Sequence, residues 1–135
     1  MAGAKDSVVT IPAAVADTLV KFSQAVWDED ADDTTTIDSG TSGGTLYAIE
    51  IDNSANSVDV YLKGWFIAGV GTVNIGTTAP NLVLKCASGT KTQYTFSNGV
   101  KYTLQFRVAV LTTGGTAGTT APDSTVYANF LFTAD

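Results

Sequence analysis

Large apolar residues recur at every second position over much of this chain. In Tyr102-Thr-Leu104-Gln-Phe106-Arg-Val108-Ala-Val110 they alternate with Thr103, Gln105, Arg107 and Ala109. A period of two matches the pleat of a strand with one face in a core and the other facing outward. Val58-Asp-Val60-Tyr-Leu62-Lys-Gly64-Trp-Phe66 alternates in the same way, and its other face carries Asp59, Tyr61, Lys63 and Trp65. Tyr47, Ile49 and Ile51 form an apolar phase opposite Glu50 and Asp52, and Val126, Ala128, Phe130 and Phe132 form the inner phase of a last strand. Ser7–Ile11, Leu19–Val26, Leu82–Cys86 and Lys91–Phe96 are shorter strand candidates. No stretch carries a helical period: Ala13–Asp17 could make one turn, but Pro12 precedes it and β-branched residues follow.

Turn residues separate these runs at Asp52–Ser57, Ala87–Thr90 and Ser97–Gly99. Asn98-Gly99 between two alternating runs is a hairpin signal, so 91–96 and 101–110 are expected to pair directly. Gly64 inside its run predicts a bulge or a close backbone approach. The pentapeptide Gly-Thr-Thr-Ala-Pro occurs twice, at 76–80 and 118–122, each time followed by Asn81 or Asp123 and then by an apolar segment. Gly, Pro and Asx together read as a loop delivering the chain into a strand. The copies suggest an internal duplication offset by about forty residues, although their flanks match poorly. Asp28–Gly44, Ala68–Pro80 and Thr112–Ser124 are long connections of the kind that carry function.

The pattern predicts an all-β chain: a single-domain antiparallel β-sandwich of the jelly-roll type, with residues 1–16 as an extended N-terminal arm and 17–135 as the sandwich. Val8, Val9 and Ile11 are the arm's candidate anchors.

Composition narrows the function. Hydrophobic residues make up 44% of the 135, enough for a real core, while charged residues are only 15%. Such a surface is either hidden partly in an assembly or kept soluble by hydroxyls. The net charge of −6 and the scattered Lys and Arg disfavour nucleic acid and anionic membrane surfaces as partners. No apolar run reaches the length of a membrane span, and the N-terminus lacks the apolar core of a signal peptide. Cys86 is the single cysteine and alternates with Leu82 and Leu84, so it reads as a buried small hydrophobe. There is no histidine to activate it or to build an ordinary serine triad, and there is no Asn-x-Ser/Thr acceptor.

Three groups could carry chemistry. The run Asp28-Glu29-Asp30-Ala31-Asp32-Asp33 starts like an EF-hand loop, but the Gly and Glu that such a loop needs are replaced by Asp33 and Ser39. A looser Ca²⁺ site or a solvated acidic loop remains, and the expectation is no metal and no cofactor. Glu50 and Asp52 share a strand face near Asp59, as any polar face can, and nothing marks them as a catalytic carboxylate pair. Tyr61 and Trp65, with Asp59, Lys63 and the earlier Trp27, form an aromatic and polar group. It could stack on sugar rings, or pack under a loop or against another subunit. The phosphate-loop pattern is missing from both pentapeptides.

Val60-Tyr61-Leu62-Lys63, then Gly76–Leu84, Ala87-Ser-Gly-Thr90, the Ser97-Asn-Gly99 turn, an alternating strand and Val126–Phe132 form a string that resembles small all-β structural proteins of tailed bacteriophages. The resemblance covers roughly residues 45–135. It implies a virion component without catalytic residues. Small size and the arm favour a capsid decoration, or cement, protein on the head surface, made in the host cytoplasm and commonly homotrimeric. Its partners would be its own copies and the major capsid protein or another virion protein. The arm residues Val8, Val9 and Ile11 are expected on the shell, with Trp27, Tyr61 and Trp65 at subunit interfaces. The rival readings are a tail, collar or fibre-base protein of the same fold and a carbohydrate-binding module.

Overall fold

Where the period-two pattern is longest, the chain forms its central strands. A computed structural model describes residues 6–10, 24–28, 43–67 and 72–134, and among them every regular element is a strand. In chain order these are β1 (Asp6–Thr10), β2 (Gln24–Asp28), β3 (Gly44–Asp52), β4 (Val60–Ile67), β5 (Leu82–Cys86), β6 (Lys91–Tyr102), β7 (Gln105–Leu111) and β8 (Tyr127–Ala134). They form a five-stranded sheet of order β1-β2-β8-β3-β6 and a three-stranded sheet of order β5-β4-β7, with antiparallel pairing throughout.

The pairs β4–β5, β3–β6 and β2–β8 nest inside one another. β8 also pairs with β3, and β7 with β4. The inner faces meet in one core. Leu62, Leu84, Phe106, Val108 and Val110 come from the small sheet, and Leu46, Ile49, Ile51, Phe130 and Phe132 from the large one. Phe106 is its hub, with ring centroids 5.0, 5.8 and 5.4 Å from those of Tyr102, Phe130 and Phe132, within the range of favourable aromatic pairing.

The alternation in 60–66, 102–110 and 126–132 locates the inner faces correctly, and Cys86 is buried as expected, whereas Val58, assigned to the same phase, precedes β4 and is exposed. Other expectations change. The segments flanking Asn98-Gly99 do not pair with each other. β6 runs through the dipeptide, pairs along β3, and then crosses to the other sheet as β7. Between the pairs Ala48↔Thr95 and Leu46↔Val100, β6 carries more residues than β3, so the Asn-Gly makes an irregularity inside a strand. Gly99 has φ +72, and a Cβ there would lie 2.2 Å from Thr45 Cγ2, which leaves room for glycine alone. Opposite this irregularity Tyr47 is the extra residue of a bulge against β8; Leu46 takes the inner position that the alternation assigned to Tyr47. Gly64 pairs regularly on both sides, so no bulge forms there.

At the N-terminus, Asp6–Thr10 pairs with β2 as the outermost strand of the large sheet, so this part of the expected arm is sheet. The second strand begins at Gln24. Ile11, residues 19–23 and residues 29–33 of the acidic run lie outside the described residues.

Candidate functional site

The outer face of the small sheet is covered by the chain's own loops. Tyr61, Lys63 and Trp65 alternate along β4 and share this face with Ala109 and Leu111 of β7. Trp65, Lys63, Ala109 and Leu111 are all buried. The indole N–H of Trp65 donates to the carbonyl of Thr78, 3.0 Å away, inside the first pentapeptide. Lys63 Nζ donates to the carbonyls of Gly115 and Gly118, the latter at 3.4 Å and the first residue of the second pentapeptide. Gly114 lies against the ring of Tyr61: a Cβ there would be 3.0 Å from Tyr61 Cδ1.

The two repeats also touch. Gly76 has φ +91, and a Cβ there would sit 2.6 Å from Thr119 Cγ2. Identical sequence is used in two settings. The first copy closes through Asn74, whose carbonyl accepts from Thr77 and Thr78 at 3.0 and 2.8 Å. The second closes through Thr112, whose N–H donates to the Thr120 carbonyl at 2.9 Å. Asn81, the Asx after the first copy, joins the sheet: its N–H donates to Gly64 O at 2.8 Å and its Oδ1 accepts from Phe66 N–H at 2.9 Å.

Lys63 is 1% exposed, and its ammonium faces carbonyl oxygens with no carboxylate partner among the described residues. Burial pushes its pKa below the ordinary lysine value. Lys85 pairs with Asp59 at 2.9 Å, which raises the lysine; that bond and a second one from Ser88 N–H lower the aspartate. Hydrogen bonding from Ser54 holds Asp52 below the usual carboxylate range, with Lys91 at 3.5 Å adding to it.

One end of the sandwich is tied by two asparagines. Asn53 is fully buried, and its Nδ2 donates to the carbonyls of Val58, Cys86 and Ala87 at 2.9, 3.2 and 3.2 Å. Asn56 exchanges two hydrogen bonds with the backbone of Ser124, at 3.0 and 2.8 Å. The β3–β4 connection is thereby tied to the start of the β5–β6 turn and to the loop before β8.

The outer face of the large sheet is different. A pocket of about 290 Å³ opens there, lined by Ala48, Glu50, Gln93, Asn129 and Leu131. Glu50 is the register partner of both Gln93 and Asn129, and Asn129 is in turn the partner of Trp27. Asn129 Nδ2 lies 3.4 Å from Glu50 Oε1.

The structure thus separates the residues expected to act together. Tyr61 is half-buried under Gly114, and Trp65 is 2% exposed under the first pentapeptide. Trp65 is therefore packed under a loop of its own chain. Trp65 and Lys63 do not form an open sugar platform, because both are spent on the chain's own loops. Trp27 stands on the other sheet, at the register position beside Asn129, and Val8 and Val9 lie on the edge strand β1. Glu50 and Asp52 do share the outer face, but Asp59 is placed by the other sheet, at Lys85 of β5. Sequence reasoning missed Gln93 and Asn129, whose only signal was a polar residue at an outward strand position. Among the described residues no group of three or more metal-ligating side chains converges, and no helix is long and apolar enough to cross a membrane. Comparison with family models, with curated proteins and with solved structures returns no match.

Proposed function

We propose that this chain is a non-enzymatic structural protein of a tailed-phage virion, a decoration or cement protein that binds the outer surface of the head as a homotrimer. The observation that carries the reading is the nested pairing β4–β5, β3–β6 and β2–β8, with the chain passing between the two sheets at β3 to β4, β5 to β6, β6 to β7 and β7 to β8. Such nesting fits a jelly roll, an architecture used in viral capsid and lectin domains. The resemblance of residues 45–135 to phage structural proteins points the same way. The pinned loops add a rigid surface of Gly, Thr, Ala and Pro with few charges, suited to close packing against other protein.

The mechanism is mechanical. Residues 1–16, whose Asp6–Thr10 forms the outermost described strand of the large sheet, meet the major capsid protein in this reading, with Val8, Val9 and Ile11 as the contact residues the sequence offers. Copies that bridge adjacent capsomers resist shell expansion through many weak contacts acting together. Labelling intact virions with a gold-conjugated antibody to the chain tests the placement. Gold over the heads is expected; gold confined to the tail or collar would assign the chain there instead.

A further inference from the structure

We propose that the pocket on the outer face of the five-stranded sheet binds a neutral saccharide. The inference rests on the geometry of that face and holds whether or not the chain belongs to a virion. Gln93, Glu50 and Asn129 stand in one row across β6, β3 and β8, and Trp27 of β2 is next in the same row. Register partners share a face of the sheet and lie about 5 Å apart, so the row offers a short ladder of polar groups. The next row of the same face holds Thr95, Ala48, Leu131 and Ala25 in register, apolar except at Thr95. Ala48 and Leu131 line the pocket beside the polar row.

The chemistry of these groups selects the ligand. Glu50 can only accept, whereas the Asn129 and Gln93 amides both donate and accept. Hydroxyl groups, which also do both, satisfy all three. An anion would meet the Glu50 carboxylate and a chain of net charge −6. Among the described residues that line the pocket, a divalent cation would find one carboxylate where such ions take several charged oxygens. An apolar ligand would strip water from three polar side chains and return nothing. A sugar ring has hydroxyls on its rim and C–H groups on its face, and the face matches the Ala48 and Leu131 floor. The volume, at the low end of ligand pockets, fits one or two rings rather than a long chain.

The test is an array of neutral hexose and N-acetylhexosamine oligosaccharides probed with the full chain, followed by NMR titration of the best binder. The expected result is saturable binding with amide shifts centred on residues 48–50, 93 and 129–131. Glu50→Ala and Asn129→Ala should each weaken binding about tenfold or more, because each removes hydrogen bonds to the ligand, one of them to a charged group. Glu50, Gln93 and Asn129 are exposed, so these variants keep the wild-type melting temperature to within a few degrees. No saturable binding across the array would overturn the proposal. So would shifts centred on residues 61–65 and the two pentapeptides, or unchanged affinity in both variants.

Discussion

Asn53 offers a sharp test of how the sandwich is closed. Its side chain is fully buried, and two N–H bonds serve three carbonyls at 2.9, 3.2 and 3.2 Å. Its Oδ1 has no hydrogen-bond partner among the described residues. Asn53→Ala removes about two net hydrogen bonds worth roughly 1 kcal/mol each and leaves acceptors buried without a donor, for a total loss of about 3 kcal/mol. For a chain of this size each kcal/mol lowers the melting temperature by about 3–4 °C, so the variant melts about 10 °C below wild type. Asn53→Asp keeps the volume but turns a carboxylate oxygen toward three carbonyl oxygens. An uncompensated buried charge costs about 3–5 kcal/mol, so near neutral pH this variant is the less stable of the two. Burial and the facing dipoles raise its carboxyl pKa in the fold above the unfolded value of about 3.9. Stability is then retained below that value and lost as pH rises through the raised one. Denaturant melts followed by circular dichroism, each variant against wild type at neutral and acid pH, read both effects. An aspartate variant as stable as wild type at neutral pH, or a deficit that does not shrink in acid, would refute the reasoning.

Other predictions follow from the covered face and the turns. Trp65→Phe keeps most of the ring but leaves the Thr78 carbonyl without its donor, so it should cost about 1–3 kcal/mol and speed amide exchange in residues 74–81. Lys63 has a pKa lowered from 10.5, so its charged form is disfavoured in the fold, and wild type should gain stability relative to Lys63→Met as pH rises toward that value. Paired melts at neutral and alkaline pH would show no such gain if the ammonium were as well solvated in the fold as in the unfolded chain. Gly89→Ala should cost about 1 kcal/mol for its left-handed backbone alone. Gly99→Ala should cost clearly more in the same urea melts, because Thr45 occupies the Cβ position. Asp52 and Asp59 both titrate low, so their contribution is present above the ordinary value of 3.8 and is lost as pH falls through the depressed ones. Asp59→Asn should flatten the acid limb of the stability curve.

Alternation along β4, β7 and β8 was enough to read the inner faces, because burial on one side selects large apolar residues at every second position. The same alternation is silent about the other side. Lys63, Tyr61 and Trp65 look alike as a solvated face and as a stem under loops, since all three have apolar bodies and polar tips. Only Ala109, small and opposite Lys63, hinted that something presses on that face. Asn98-Gly99 carries the local chemistry of a hairpin, yet the pairing of β6 with β3 keeps the strand running, and the dipeptide becomes an irregularity. The doubled pentapeptide was legible as two loops. That they would lie side by side over β4 depends on the long-range pairing of β4 with β5 and β7, which local patterns do not encode.

The virion assignment is tested most directly by co-sedimenting the purified full chain with tailed-phage heads that lack it. The account predicts saturable binding, with a plateau in multiples of three chains per site and greater resistance of the filled heads to heat. Absence of binding to heads, with or without expansion of the shell, would contradict it.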